Sequence, residues 1–351
     1  MKQETEGEVN NRMKALRIVG ERQVVVREKA DPRPGPGDVV VQMKAAAICG
    51  SDLHPYRHPR PADLDADLVP GHEPCGVIAE VGPEVRGWAV GDSVVVYFRR
   101  TCGACHYCRT GHRNVCTNRR ASYGVGADGS DAEYMLVEAP SLMRLPEDFS
   151  FVDGAVMACQ AGTAYYPLSR LEASGRDVLV VSGLGPVGLL ATMFGAAMGA
   201  RIVGIDPSAT RRDLARGFGA AATLDPSAGP VVEQLRAIHP DGADTLIETS
   251  GSNAAHAVVG DLLKPLGRAA IVGLGSENFT IPLRQIVHRQ ITLFGTSIYP
   301  DTQVDEIWDF VRRHQLSLGS VITHYFPLDQ GPRAFQTADT ATTGKVCFTF
   351  D

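Results

Sequence analysis

The sequence predicts an α/β protein of two domains, one a doubly wound parallel sheet and the other rich in β-structure. Three observations carry that prediction. The stretch "DVLVVSGLGPVGLLATMFGAAMGARIVGID" runs apolar strand, glycine turn, helix and second strand across residues 177–206. Further apolar segments, "ADTLIETSG" near 243–251 and "GRAAIVGLG" near 267–275, alternate with helical stretches, as parallel strands joined by crossover helices do. The N-terminal half instead carries turn signals such as "PRPGPGD" and "VGPEVRGWAVGD", and 351 residues suffice for two ordinary cores.

Taken in order, residues 1–12 are polar and charged, lack the apolar centre of a secretory signal, and read as a loose extension. Residues 13–160 read as a β-rich catalytic domain, 161–295 as a dinucleotide-binding domain, and 296–351 as a return that completes the first. The run between Asp177 and Arg201 holds 23 uncharged residues, enough to span a membrane. Its glycines, its proline and its β-branched opening "VLVV" read instead as strand and helix, so no membrane partner is expected. The net charge of −6 leaves no basic excess to displace counterions from a phosphate backbone, which argues against nucleic acid.

The glycine turn has its own chemistry. Gly183, Gly185 and Gly188 form G-x-G-x-x-G directly after an apolar strand, with Pro186 inside the fingerprint. The first glycine permits the turn, the second lets backbone approach a pyrophosphate, and the third lets helix pack on strand. The phosphate then meets a helix N-terminus. Asp206 ends the next strand, 18 residues after Gly188. A carboxylate there accepts from ribose hydroxyls and repels a 2′-phosphate, which favours NAD over NADP. Arg211 and Arg212 nearby pull the other way, since arginine can hold a 2′-phosphate.

Four of the eight cysteines, Cys102, Cys105, Cys108 and Cys116, crowd into "CGACHYCRTGHRNVC". Disulfides, an iron–sulfur cluster and a sulfur-bound metal compete for them. With no secretory signal the expected compartment is the cytoplasm, where thiols stay reduced and clustered cysteines favour metal. The spacing C-x2-C-x2-C begins like a ferredoxin motif, but that motif continues x3-C-P, whereas here seven residues intervene and Thr117 follows. Four thiolates suit tetrahedral Zn²⁺, closed to water and structural. His106 and His112 are left on the surface. The loop has no apolar alternation, so the metal stands in for a core.

C-x2-C-x2-C-x7-C resembles the structural zinc lobe of the zinc-dependent medium-chain alcohol dehydrogenases. "CGSDLH" at 49–54, "GHEPCG" at 71–76 and "CQAGTAY" from 159 extend the resemblance over nearly all of the chain after residue 12. It implies a GroES-like fold for the β-rich domain, a Rossmann fold for the other, and two zinc ions per chain. Cys49, His72 and Cys159 match the ligands of a catalytic zinc that keeps one position open. Cys75 and Cys347 match nothing and read as core. Asp52 is placed to fix the His72 tautomer, as outer carboxylates do. Glu73 sits, in the family, behind the zinc. Ser51 and His54 match a relay that carries the alcohol proton to water, Ser51 as hydroxyl and His54 as imidazole.

The resemblance also places Thr163 and Val187 behind the nicotinamide ring, the backbone around Gly273–Leu274–Gly275 against it, Arg211 on the ribose, and Lys345 on the pyrophosphate. Ser51 and Phe98 line the substrate pocket. Ser51 is smaller than the threonine often found there, leaving room for a secondary carbinol. Polyol and threonine dehydrogenases tend to use a carboxylate where Cys159 stands, so they are the alternatives within the family. A non-catalytic zinc-binding regulator and a zinc hydrolase are the alternatives outside it; the first would have lost metal ligands, and the second has no use for the dinucleotide fingerprint. The short Cys116–Cys159 span resembles tetrameric microbial members and implies a homotetramer, with a dimer as the alternative.

Overall fold

The computed structural model describes residues 12–60, 65, 67–275 and 279–350. β1 (Arg12–Gly20) and β2 (Gln23–Ala30) form an antiparallel hairpin. Arg12 therefore opens a strand and does not end an extension; residues 1–11 lie outside the described residues. β3 (Asp38–Ile48), β4 (Pro74–Val81), β5 (Ser93–Val96), β6 (Tyr134–Glu138) and β7 (Leu142–Arg144) build an antiparallel sheet. β3 has the β-branched run "VVV" and is the spine of that sheet, with Val39, Val41 and Ala45 to Ala47 fully buried.

The chain then enters a second sheet, parallel throughout: β8 (Val178–Ser182), β9 (Arg201–Ile205), β10 (Ala220–Leu224), β11 (Ala243–Glu248), β12 (Leu263–Ile271) and β13 (Thr292–Gly295). Its spatial order is β10-β9-β8-β11-β12-β13. Connections run one way from β8 and the other way from β11, so a crevice opens beyond the carboxyl ends of these two strands. The 23-residue uncharged run is β8, a turn and the helix Pro186–Ala197. Among the described residues no helix is long and apolar enough to cross a membrane.

β14 (Ile322–Phe326) and β15 (Lys345–Thr349) return to the first sheet, which then reads β14-β15-β3-β4-β5-β7 with β6 also on β3. β15 lies antiparallel on β3, pairing Val346 with Ile48 and Cys347 with Ala47. The two sheets are joined by one helical run, Phe151–Arg170, whose middle turn, Met157–Ala161, is π-helical. A boundary at residue 160 thus falls inside a continuous helix, and the parallel sheet begins only at Val178. Ser150 starts this run with a capping box: its Oγ accepts from the Asp153 N–H and the Asp153 carboxylate accepts from the Ser150 N–H, each at 3.1 Å.

Candidate metal and cofactor sites

The cysteine lobe is a cage of sulfur. The Sγ of Cys102, Cys105, Cys108 and Cys116 all lie within 4.8 Å of one another, and no disulfide joins them. Cys102 and Cys116 are 3.6 Å apart, Cys105 and Cys116 3.9 Å, Cys102 and Cys108 4.0 Å. A tetrahedron with Zn–S bonds of about 2.3 Å has S···S edges of about 3.8 Å, so the donor set fits zinc. The backbone N–H of Cys108, followed by that of Thr117, drives the Cys105 thiol down to about 5, while burial pushes Cys108 up to about 12. His106 and His112 remain exposed and outside the cage. Arg113 ties the lobe to the rest of the fold through Asp301 at 2.7 Å and Thr101 at 2.9 Å.

A second cluster joins Cys49, His72, Glu73 and Cys159, whose donor atoms also lie within 4.8 Å of one another. Cys49 follows β3 directly and begins the turn Gly50–Asp52, His72 precedes β4, and Cys159 sits on the π-helical turn. Such a turn widens the helix and leaves carbonyls to be satisfied by other means. Tyr299 donates its hydroxyl to the Met157 carbonyl at 2.7 Å, and Thr163 donates to the Cys159 carbonyl at 2.6 Å. The turn is therefore held open from two sides, and Cys159 is held facing Cys49.

Electrostatics prepare these groups for a cation. Asp52 Oδ1 is 2.9 Å from His72 Nδ1, which leaves Nε2 for a metal. Burial alone would lower the His72 pKa, but the Asp52 carboxylate and Cys49 thiolate overcome it and hold the imidazole well above its ordinary range. The shared Cys49–Cys159 hydrogen bond lowers the first thiol and raises the second. A metal must displace protons from these sulfurs and from His72, which couples its binding to pH. Gln160 donates to Cys49 Sγ at 3.7 Å, a contact with no signal in the sequence beyond its place next to Cys159.

Glu73 and Lys345 depart from the sequence reading together. Lys345 does not reach towards the glycine turn. Its Nζ lies 2.5 Å from Glu73 Oε2 and 2.9 Å from the Ile48 carbonyl, with no exposure of either side chain. The pairing of β15 with β3 carries this lysine into the wall behind the metal cluster, so the pyrophosphate role is withdrawn. Burial pushes the Glu73 carboxyl up to about 8 while Lys345 pulls against it. Sequence reasoning also missed Asp131, fully buried against Gly71, where an added Cβ would fall 2.1 Å from its Oδ1.

The pocket residues divide. Phe98 is buried with its ring 4.9 Å from that of His72, and Ser51 Oγ is 3.4 Å from His72 Nε2. His54 is exposed and packs on His58 at 4.7 Å; among the described residues no hydrogen bond links it to Ser51. Ser51 thus lies beside the metal-facing imidazole, and His54 is not linked to it.

Two of the fingerprint glycines adopt the turn and the close packing that the spacing implies, and the third borders open space. Gly183 has φ +90, and Gly188 packs so closely that a Cβ would fall 1.9 Å from the Gly183 carbonyl oxygen. At Gly185 a Cβ would meet only Arg211 Nη1 at 3.9 Å, which leaves the space a phosphate needs above a helix opened by Pro186. Asp206 Oδ2 accepts from the Leu184 N–H and Oδ1 from the Ser208 N–H, both at 2.8 Å. The acid therefore also pins the turn itself. Arg211 donates to the Thr343 carbonyl at 2.9 Å, and Arg212 is drawn off to Asp225. Val187 is half-buried, Gly273 is packed on Gly251, and Leu274 is fully open to solvent at 96% exposure.

The comparisons agree with this geometry. The alcohol dehydrogenase GroES-like domain matches residues 35–147 and the zinc-binding dehydrogenase domain residues 186–313. The zinc-type alcohol dehydrogenase-like protein YphC of Escherichia coli is 34% identical over 96% of this chain and 99% of its own length. The chain belongs to the zinc-dependent medium-chain dehydrogenase family. As a family member it is a zinc-containing oxidoreductase acting on CH–OH groups. The L-threonine 3-dehydrogenase of Deinococcus deserti is 34% identical over 90% of this chain and 92% of that one. A zinc-binding dehydrogenase of Sinorhizobium meliloti solved with NADP superposes with a TM-score of 0.85 at 29% identity, over 97% of this chain and 100% of its own.

Proposed function

We propose that the protein oxidises secondary alcohols to ketones with NAD, reversibly, at the Cys49–His72–Cys159 centre. The carrying observation is the open-sided cluster of two thiols and an imidazole beside Ser51 and Phe98. When bound, zinc polarises the substrate oxygen and the dinucleotide takes the hydride. The chain does the rest. Asp52 holds a proton on His72 Nδ1 and keeps Nε2 free. Ser51 Oγ is placed to accept the alcohol proton, and His54 passes it outward after its side chain turns from His58. Phe98 and the π-helical turn keep water from the inner wall.

Asp206 supports NAD over NADP, because a buried carboxylate at the end of β9 opposes a 2′-phosphate. A thiol at position 159 weighs against threonine and polyols as preferred substrates. All eight cysteines are free, which supports a reducing compartment such as the cytoplasm. The apolar side chains of Leu274, Leu283 and Val287, exposed in the segment between β12 and β13, support a homo-oligomer, with a tetramer the preferred form. Initial rates with NAD across primary, secondary and polyhydroxy alcohols test the reading. The expected result is highest kcat/KM for a secondary alcohol, and equal use of primary alcohols or of NADP would oppose it.

A further inference from the structure

We infer that the preferred alcohol carries a carboxylate, and that Arg99 at the pocket wall receives it. This rests on the dehydrogenase reading and names its substrate class. Three arginines around the cysteine lobe have carboxylate partners: Arg100 and Arg120 share Glu138, and Arg113 holds Asp301. Arg99 has no carboxylate within ion-pair distance among the described residues. Its one hydrogen bond runs from Nη2 to Ser297 Oγ at 3.1 Å, and its Nε is buried without an acceptor.

Its position gives that vacancy a purpose. Arg99 follows Phe98, whose ring is 4.9 Å from the metal-facing His72, and its guanidinium lies 5.5 Å from the same ring centroid. These two contacts keep the guanidinium within about 10 Å of the His72 ring. Arg119, exposed and also without a carboxylate partner among the described residues, lies close enough to depress the Arg99 pKa further, after burial. Two neighbouring cations without a carboxylate partner among the described residues make this side of the pocket a field for an anion. A planar guanidinium suits a carboxylate, whose two oxygens can accept parallel N–H bonds.

The test compares 3-hydroxybutyrate, butan-2-ol and a phosphorylated secondary alcohol as substrates of the zinc-loaded enzyme. Wild type is expected to favour the hydroxy acid over butan-2-ol by about 10- to 100-fold in kcat/KM, the value of a charged hydrogen bond. Arg99→Ala should collapse that ratio through KM for the acid, and Arg99→Lys should restore part of it. Competitive inhibition should favour butyrate over butyramide in wild type and lose that preference in Arg99→Ala. Butan-2-ol used as well as the acid, a preference for the phosphate ester, or an acid-to-neutral ratio unchanged in Arg99→Ala would each overturn the inference. No NAD reduction with any alcohol would instead remove the dehydrogenase reading beneath it.

Discussion

Lys345→Met removes the cation behind the metal centre while keeping an apolar stem of similar length. Lys345 and Glu73 are both without exposure and 2.5 Å apart, so the variant leaves Glu73 with no counter-charge and the Ile48 carbonyl with no donor. Breaking a buried pair from one side costs about 3–5 kcal/mol. The Glu73→Gln change in the same background removes the stranded charge, and the double variant should recover about 1–3 kcal/mol of the loss, the range for groups in direct contact. Urea unfolding followed by tryptophan fluorescence reads this well. Trp88 lies under Arg144 of β7 and Trp308 packs on Phe149, so both report from outside the parallel sheet. Zinc content is measured alongside, since Glu73 borders the metal ligands. A Lys345→Met protein within about 1 kcal/mol of wild type, or a double variant less stable than the single, would refute the coupling.

Asp206→Gly should weaken NAD binding and relax discrimination against NADP, read by fluorescence titration with both reduced cofactors. Because Asp206 also accepts from Leu184 and Ser208, it should lower thermal stability as well. Asp339 holds Arg22 at 2.9 Å and Arg57 at 2.5 Å, linking the β1–β2 turn and the helix Leu53–Arg57 to the helix Gly331–Asp339. Burial would raise its carboxyl, but the two guanidinium groups outweigh it and hold it below the usual value of 3.8. A depressed native value adds stability above the unfolded pKa and loses it as pH falls through the native one. Asp339→Asn should therefore cost about 1 kcal/mol near pH 7, given the partial exposure of both arginines, and progressively less as pH falls below the unfolded carboxyl value of about 3.9. Cys105→Ala should release the structural zinc and lower the melting temperature, since the lobe has few apolar contacts to hold it without metal; calorimetry with zinc analysis decides this.

The parts legible in the sequence are those whose geometry is local. Four thiols within fifteen residues, and glycines spaced along one strand–turn–helix, assemble with little help from distant chain. Asp52 and His72 were legible because short segments flank the strands that bring them together. Lys345 was not, because its surroundings depend on how β15 pairs with β3 nearly three hundred residues earlier. The same holds for Arg99: its lack of a carboxylate partner among the described residues depends on contacts far from it in the chain. His54 is a different case, since its stacking on His58 is a side-chain orientation that the sequence does not specify. The boundary at residue 160 was drawn through a helix because the ligand Cys159 belongs to the connection between the sheets.

The central claim is that Cys49, His72 and Cys159 hold the metal that acts on the alcohol. Zinc per chain and alcohol-dependent NAD reduction, measured together on wild type and Cys159→Ala, test it most directly. The account predicts about two zinc ions in wild type, about one in the variant, a folded variant, and loss of nearly all turnover. A Cys159→Ala protein carrying one zinc and turning over at the wild-type rate would contradict it.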